Sequence, residues 1–423
     1  MSEIQSTGPL VGMRVLDLSH VLAGPVCGLM LADMGADVIK VENINGGDDT
    51  RRMVPPQING ESTSFMMVNR NKRGIALDLK AEAGKDVLKT LVKSADVLIE
   101  NYRHDTMARL GLDYDVLSKV NPGLIYCSVS GFGRSGPFAT QGGFDLVAQG
   151  MSGLMSVTGE GPGRPPVKIG PPVTDITAGI LAAMGITAAY AHKLHTNQGE
   201  KVDTSLFEAG ITHTYWQSNI AFATGVSPGP LGSAHPLSAP YQAFETADGW
   251  LNLGASSQRT WLSLLDVLGD DALASDPRFA TNADRMAHLD ALVDELDGHF
   301  KARTTEAWLT ALDDAGVPAG PVLSVAEMHR HPQTIARDMV PTVNHRVAGE
   351  VQTIGLPVKF SETPGGIQRA APVFGEHTRQ VLLEAGYSDT DIDALFEQNV
   401  VAAPSDEKTD VHTKATDRGT DRL

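Results

Sequence analysis

What this chain has little of narrows its function first. Cysteine occurs only at Cys27 and Cys127, so neither a disulfide scaffold nor a four-cysteine zinc site is available. Aromatic residues make up 5% of the chain, and its 13 histidines are scattered with no His-Glu-x-x-His spacing, so no metal site is expected. Gly-x-Ser-x-Gly and the glycine-lysine phosphate loop are both missing, which removes support for a serine hydrolase or a nucleotide phosphohydrolase. No uninterrupted apolar run approaches the roughly 18 residues of a membrane span. The opening MSEIQSTGPLVGMRVLDL lacks a basic stretch followed by an apolar one. Bases are in deficit, 34 against 51 acids, for a formal charge of -17. Such a surface repels phosphate backbones, although a local basic pocket still accommodates one small anion. The expectation is a soluble cytoplasmic protein of a reducing compartment, with no nucleic-acid partner and no membrane.

What is present is an α/β text. At 423 residues and 42% hydrophobic content, two domains are expected. Arg14–Leu18, Asp37–Glu42, Asp96–Glu100 and Leu124–Ser130 read as buried strands, with helices at Gly24–Gly35 and Ala81–Ser94. That alternation predicts βαβ units and a parallel sheet with helices on its faces. After a Gly- and Pro-rich stretch, Asp175–His195 reads as a long helix, and Val202–Asn219 as a continuation in helix. Ala247-Asp248-Gly249 marks a hairpin, followed by an acidic helical region at 260–327. The expected division is a large domain at 1–224, a small domain at 225–335, a segment at 336–400 returning to the large domain, and a disordered tail at 401–423 with five acids and four bases.

Three features invite chemistry. Gly131-Phe-Gly133-Arg-Ser-Gly136 fits a dinucleotide fingerprint, but Pro137 follows at once and no helix opens there, so a mobile glycine loop is the better reading. Asp175 closes the run GPPVTD and opens the long helix. One reading is an ordinary N-cap. The other is a carboxylate nucleophile, favoured in its ionised form by the helix N-terminus, with small neighbours Ala178 and Gly179 and with Thr174 as the alternative cap. The basic clusters Arg51-Arg52, Arg70-Asn71-Lys72-Arg73 and Arg103…Arg109 are either solvated surface or a phosphate-binding rim.

Separated motifs then occur in a specific order: LDLSHVLAGP and LADMGADVIKVE (16–42), GGDDTR (46–51), NRNKRGIALDLK (69–80), ADVLIENYR (95–103), SVSGFGRSGP (128–137), GGFDLVAQGMSGLMSVTG (142–159), PPVTDITAG (171–179), HPLSAPYQAFETADGW (235–250), GLPVKFSETP and GEHTRQVLLEAGY (355–387). From about Leu10 to Val400 the chain resembles the class III CoA-transferases, the family of formyl-CoA, carnitine and bile-acid CoA-transferases. The resemblance implies a Rossmann-like large domain with a smaller α+β domain and an interlocked homodimer. It implies no permanently bound cofactor, with an acyl-CoA thioester as donor and a carboxylic acid as acceptor. It also implies that Asp175 attacks the donor thioester, passing through a mixed anhydride and an aspartyl-CoA thioester before CoA reaches the acceptor. By matching position the CoA-contacting residues are Leu22, Ala23, Leu77, Lys80, Asn101, Tyr102, Arg103 and Arg109, with His20 and Val21 in the same first loop.

The chain departs from formyl-CoA transferase at Leu22 (glutamine there), at Asn43 (arginine there) and in having GPLGSAHP (229–236) in place of a run of four glycines. These differences point away from formate and oxalate. Arg51, Arg52 and His235 are candidates to hold the second carboxylate of a dicarboxylate such as succinate. The alternatives are an acyl-CoA racemase, an acyl-CoA lyase or hydrolase-like relative, and a non-catalytic CoA-binding module. A racemase pairs the aspartate with a histidine at the position matching Phe144, and a phenyl ring exchanges no proton.

Overall fold

The computed structural model describes residues 7–404. They separate into two compact units: 7–152, 170–213 and 332–404 in the first, 153–169 and 214–331 in the second. The division falls after His213, where the sequence placed it after residue 224, and the segment 153–169 groups with the second unit.

The first unit is built on a seven-stranded sheet. Its strands are β1 (Arg14–Asp17), β2 (Asp37–Glu42), β3 (Arg73–Leu77), β4 (Val97–Glu100), β5 (Ile125–Ser130), β6 (Lys201–Ser205) and β7 (Val401–Ala402). They lie in the order β7-β3-β2-β1-β4-β5-β6, and all neighbours are parallel except the β7–β3 pair. The order 3-2-1-4-5-6 is that of a doubly wound Rossmann-type sheet. Both faces are covered, which is why the central strands read as unbroken apolar runs. Leu16, Ile39, Ile75 and Leu98 pack on one face. Val15, Val38, Val97 and Cys127 pack on the other.

Two expectations need correction. Val202–Ser205, expected as the start of a helix running to Asn219, belongs instead to the edge strand β6, paired in register with β5 from Tyr126↔Lys201 to Ser130↔Ser205. The β-branched Val202 and Thr204 suit that ladder, and helix begins only at Leu206. Residues 401–402 were assigned to a disordered tail and instead form β7, with Val401 opposite Leu77 and Val400 in the core. The rest of that tail, from 405, lies outside the described residues.

Helices α1 (Ala23–Asp33), α2 (Glu82–Val92), α3 (Asp145–Met151), α4 (Val173–Thr196) and α5 (Leu206–Thr212) belong to this unit. Helix α4 has the length and apolar make-up of a bilayer span. Its inner stripe of Ala178, Ala182, Ala183, Ile186 and Ala189 is nevertheless core, packed with α1 and the sheet. The stripe is small so that helices approach closely. At Gly179 a Cβ would stand 2.5 Å from the carbonyl oxygen of Ala23 and 2.8 Å from Val26 Cβ. No side chain fits without moving α1.

The second unit carries the expected hairpin, Tyr241–Glu245 with Trp250–Gly254, extended by the antiparallel strand Ala319–Pro321. Its core includes Phe244, Trp261, Phe279, Phe300 and Trp308, with Phe244 stacked on Phe300 at 4.9 Å and Phe300 edge-on to Trp308 at 5.0 Å.

In an exposed helix interior Gly→Ala stabilises by about 1 kcal/mol. Gly179→Ala should instead destabilise by roughly 1–3 kcal/mol, because the added methyl overpacks a backbone contact. A urea midpoint that rises in this variant would show that the helix crossing tolerates a side chain.

Candidate active site

In an open parallel sheet, ligands bind beyond the carboxyl ends of the strands where the strand order reverses. Here that switch point lies between β1 and β4. The loop after β1 contains His20, Val21 and Leu22, and the loop after β4 contains Asn101, Tyr102 and Arg103. Asn101 locks the two together: His20 N donates to Asn101 Oδ1 at 2.9 Å, and Asn101 Nδ2 donates to His20 O at 2.7 Å. The role implied for Asn101 was contact with CoA, but its amide is committed to the protein backbone.

Val21 is held at φ +68°, a left-handed conformation that costs a β-branched residue on the order of 1–3 kcal/mol. Its N–H donates to Asp48 Oδ1 at 3.2 Å, and Asp48 is held in turn by Lys40 Nζ at 2.9 Å. Lys40 also donates to Ser19 O, so one buried ammonium ties the loop at two points. Burial alone would raise the pKa of Asp48, and Lys40 with the Thr50 hydrogen bonds brings it well below the usual carboxylate range. Below this, Lys72 donates to Asp17 Oδ2 at 2.8 Å, both groups fully buried. No role is expected from the sequence for Asp17, Lys40 and Asp48, whereas Lys72 stands there in a candidate phosphate rim. The available signal was a charge inside a buried strand, Asp17 in VLDL and Lys40 in VIKVE.

The same pairing removes most of the suspected phosphate rim. Arg51 is bidentate on Glu42 at 2.7 and 2.8 Å and covers the ring of Phe65. Arg70 binds Asp33 at 2.6 Å, and Arg73 binds Asp37 and Glu384. These residues are neither solvated surface nor anion ligands. They are internal ties between segments distant in sequence. Arg51 is therefore withdrawn as a dicarboxylate ligand. Arg52 is exposed and paired with Asp49. His235 lies in the second unit, between Trp216 and Tyr241, where its Nδ1 accepts from Leu237 N.

Of the residues proposed to contact CoA, Leu77, Lys80, Tyr102 and Arg109 line one cavity of about 350 Å³ together with Val41 and Asn43. Leu77 and Tyr102 give it apolar walls. Lys80 is exposed at its edge, and Arg109 is exposed and paired with Asp105 at 3.2 Å. Leu22 and Ala23 stand apart, at the start of α1, where the Ala23 side chain is core. Arg103 is exposed beside Gly142.

Asp175 is not an N-cap. Helix α4 begins after Pro172, with no side-chain cap, which puts Asp175 at its third residue. Among the described residues its carboxylate has no hydrogen bond and no ion pair. Burial first, and the nearby Asp145 second, push its pKa up to about 7. Gly179, one turn along the same helix face, rests against the first turn of α1. The close crossing of the helices therefore brings Asp175 toward the loop after β1. A half-buried carboxylate without a partner near a helix N-terminus, with its pKa raised, marks a candidate for chemistry. Phe144 is 76% exposed. The Gly131–Gly136 loop opens no helix, and Gly131 crosses Gly143 so closely that a Cβ on Gly143 would meet Gly131 Cα at 2.5 Å. Arg134 of that loop is tied to Glu100 at 2.7 Å.

Known proteins resemble this chain along most of its length. A model of CoA-transferase family III matches residues 10–378. The succinate–glutarate CoA-transferase of Agrobacterium fabrum is 42% identical over 89% of this chain and 95% of its own length. The chain belongs to CoA-transferase family III. The human succinyl-CoA:glutarate CoA-transferase is 34% identical over 95% of this chain and 91% of its own. Among solved structures, a CaiB/BaiF family protein from Brucella suis superposes with a TM-score of 0.80 at 37% identity, covering 90% of this chain and 100% of that one. A hypothetical protein from Mycobacterium tuberculosis gives 0.79 at 27% identity, covering 89% and 99%. This CoA-transferase accordingly acts on coenzyme A thioesters, with a mixed α/β fold around a parallel sheet.

The raised pKa of Asp175 has a consequence for stability. Its folded value, about 7, lies above the ordinary 3.8. The folded state is therefore unpenalised below pH 4 and loses stability as pH rises through 7. Asp175→Asn should melt at the same temperature as the parent near pH 3.5 and at a higher one at pH 8. Thermal melts across this range test it, and a difference independent of pH would contradict the assigned environment.

Proposed function

We propose that this CoA-transferase moves CoA between carboxylic acids through covalent intermediates on Asp175, with dicarboxylic acids as the substrate class. The observation that supports Asp175 most directly is its unpartnered, half-buried carboxylate at the start of α4. In the first step a carboxylate oxygen attacks the thioester carbonyl of the donor, CoA thiolate departs, and a mixed anhydride forms. The thiolate then attacks Asp175 Cγ, releasing the donor acid and leaving an aspartyl-CoA thioester. The acceptor carboxylate attacks the same carbon and expels the thiolate, which takes the acceptor acyl group and frees Asp175. The thioester bond is conserved at each exchange provided that water is kept out. The cavity at Leu77, Lys80, Tyr102 and Arg109 would take the nucleotide end of CoA, with the exposed Lys80, Arg103 and Arg109 pairing its phosphates. Leu22, Ala23 and Asn101 would shape the path between that end and Asp175.

The dicarboxylate reading follows the relatives, which are named for succinate and glutarate and, in the 39% identical enzyme of Acetobacter aceti, for oxalate. The oxalate-named relative keeps that acid within the substrate class. The homodimer remains part of the proposal. Phe144, Leu146, Ile180 and Met184 are all exposed apolar residues of the first unit. Surfaces of this kind are normally covered by a partner.

Asp175→Ala should abolish transfer while leaving CoA affinity within a few-fold. Hydroxylamine added during turnover with succinyl-CoA should leave a hydroxamate on Asp175, located by peptide mass spectrometry. An adduct at another residue, or near-normal transfer by the alanine variant, would falsify the assignment. Met184→Glu should shift the mass measured by light scattering from dimer to monomer; an unchanged dimer would place the interface elsewhere.

A further inference from the structure

The first turn of α4 ends in free backbone N–H groups, yet no side chain of its own caps it. The cap comes from another element. Asp145 Oδ1 accepts from Thr174 N at 2.9 Å and from Thr174 Oγ1 at 2.8 Å. Its other oxygen accepts from Gln149 Nε2 at 2.8 Å, one turn further along α3. Thr174 is fully buried and immediately precedes Asp175. Gly143, just before α3, packs against Gly131, just after β5, so the start of α3 lies against the end of that strand. No cation pairs with Asp145 or with Asp175 among the described residues. Two carboxylates thus share the start of one helix with nothing positive between them.

We propose that Asp145 is a positioning residue for the nucleophile: its carboxylate holds the first turn of the Asp175 helix through Thr174, and its charge disfavours the free aspartate relative to the acylated forms. The inference rests on the reading of Asp175 as the nucleophile. In the mixed anhydride and in the aspartyl-CoA thioester, Asp175 carries no charge. Repulsion from Asp145 therefore acts on the resting carboxylate and vanishes on acylation, which shifts the internal equilibria toward the covalent intermediates. The same repulsion makes the carboxylate more basic and so a stronger nucleophile. The other charged groups on elements packed against α4 are engaged elsewhere. Asp33 of α1 is paired with Arg70, Glu208 of α5 with Ser205, His213 with Thr177, and Asp203 of β6 with the Arg134 amide. Lys201 of β6 faces Asp115, and Lys193 of α4 itself pairs with Asp96. Among the described residues, Asp145 is the charged group that acts on Asp175.

Asp145→Asn keeps an oxygen for Thr174 and removes the charge. With succinyl-CoA as donor and glutarate as acceptor, the acid limb of the kcat/KM profile should move down by about one pH unit. The fraction of enzyme trapped by hydroxylamine at Asp175 should fall several-fold at fixed donor concentration. Asp145→Glu, which restores the charge, should return the acid limb toward its original position. Should Asp145→Asn fail to fold, Asp145→Ser also removes the charge while keeping a hydroxyl near Thr174, and the same shift is expected. An unchanged acid limb and an unchanged trapped fraction in a folded neutral variant would overturn the role of Asp145 while leaving Asp175 in place. Absence of any adduct on Asp175 in the parent enzyme would remove both assignments.

Discussion

The crossing of α1 and α4 at Gly179 is the contact on which the arrangement of this unit depends. Helix α1 follows the first strand and frames the crevice at the switch point of the sheet. Helix α4 carries Asp175. A carbonyl oxygen of α1 occupies the place where a side chain of α4 would stand. The small stripe of α4 thus sets how closely it approaches α1, and a bulkier stripe would separate the two helices. Close helix packing of this kind depends on shape more than on buried area, because a single methylene in a filled interior is felt by its neighbours.

Charge in this unit is handled in two opposite ways. Asp17, Asp33 and Asp48 are buried, and each has a cation within hydrogen-bond distance: Lys72, Arg70 and Lys40. Removing either partner would leave an uncompensated buried charge, which is far costlier than the pair itself is favourable. These ties fix the loop after β1 and bind it to strands β2 and β3. Asp175 is treated differently. It has burial, a like charge nearby and, among the described residues, no cation, so its ionised form is held at a disadvantage. Such local conflicts with stability are expected where chemistry is done.

The acidic balance of the chain gains a second meaning from this. Many of its bases do not face solvent at all. Lys40, Arg70, Lys72 and Arg73 are buried, and Arg51 is largely enclosed between Glu42 and Phe65. Lys80 and Arg109, by contrast, are exposed where they line one cavity, and Arg103 is exposed in the loop after β4. A chain of net charge -17 thereby keeps a small basic rim near one cavity without becoming a general binder of polyanions.

The sequence by itself determined the parallel α/β sheet, the long helix and the hairpin, because buried strands and amphipathic or small-residue helices leave local patterns. The ordered motifs also determined the family. Three things were decided only by tertiary structure. Lys201–Ser205 became a strand because β5 offered a ladder that local propensity does not record. The NRNKR bases became internal ties because Asp17, Asp33 and Asp37 lie far away in sequence and close in space. Asp175 lost the cap role its position suggests, since its helix is capped by Asp145 from another element and its own carboxylate is left free. In each case the deciding partner is distant along the chain, and a hydrogen bond or an ion pair between distant residues has no local signature.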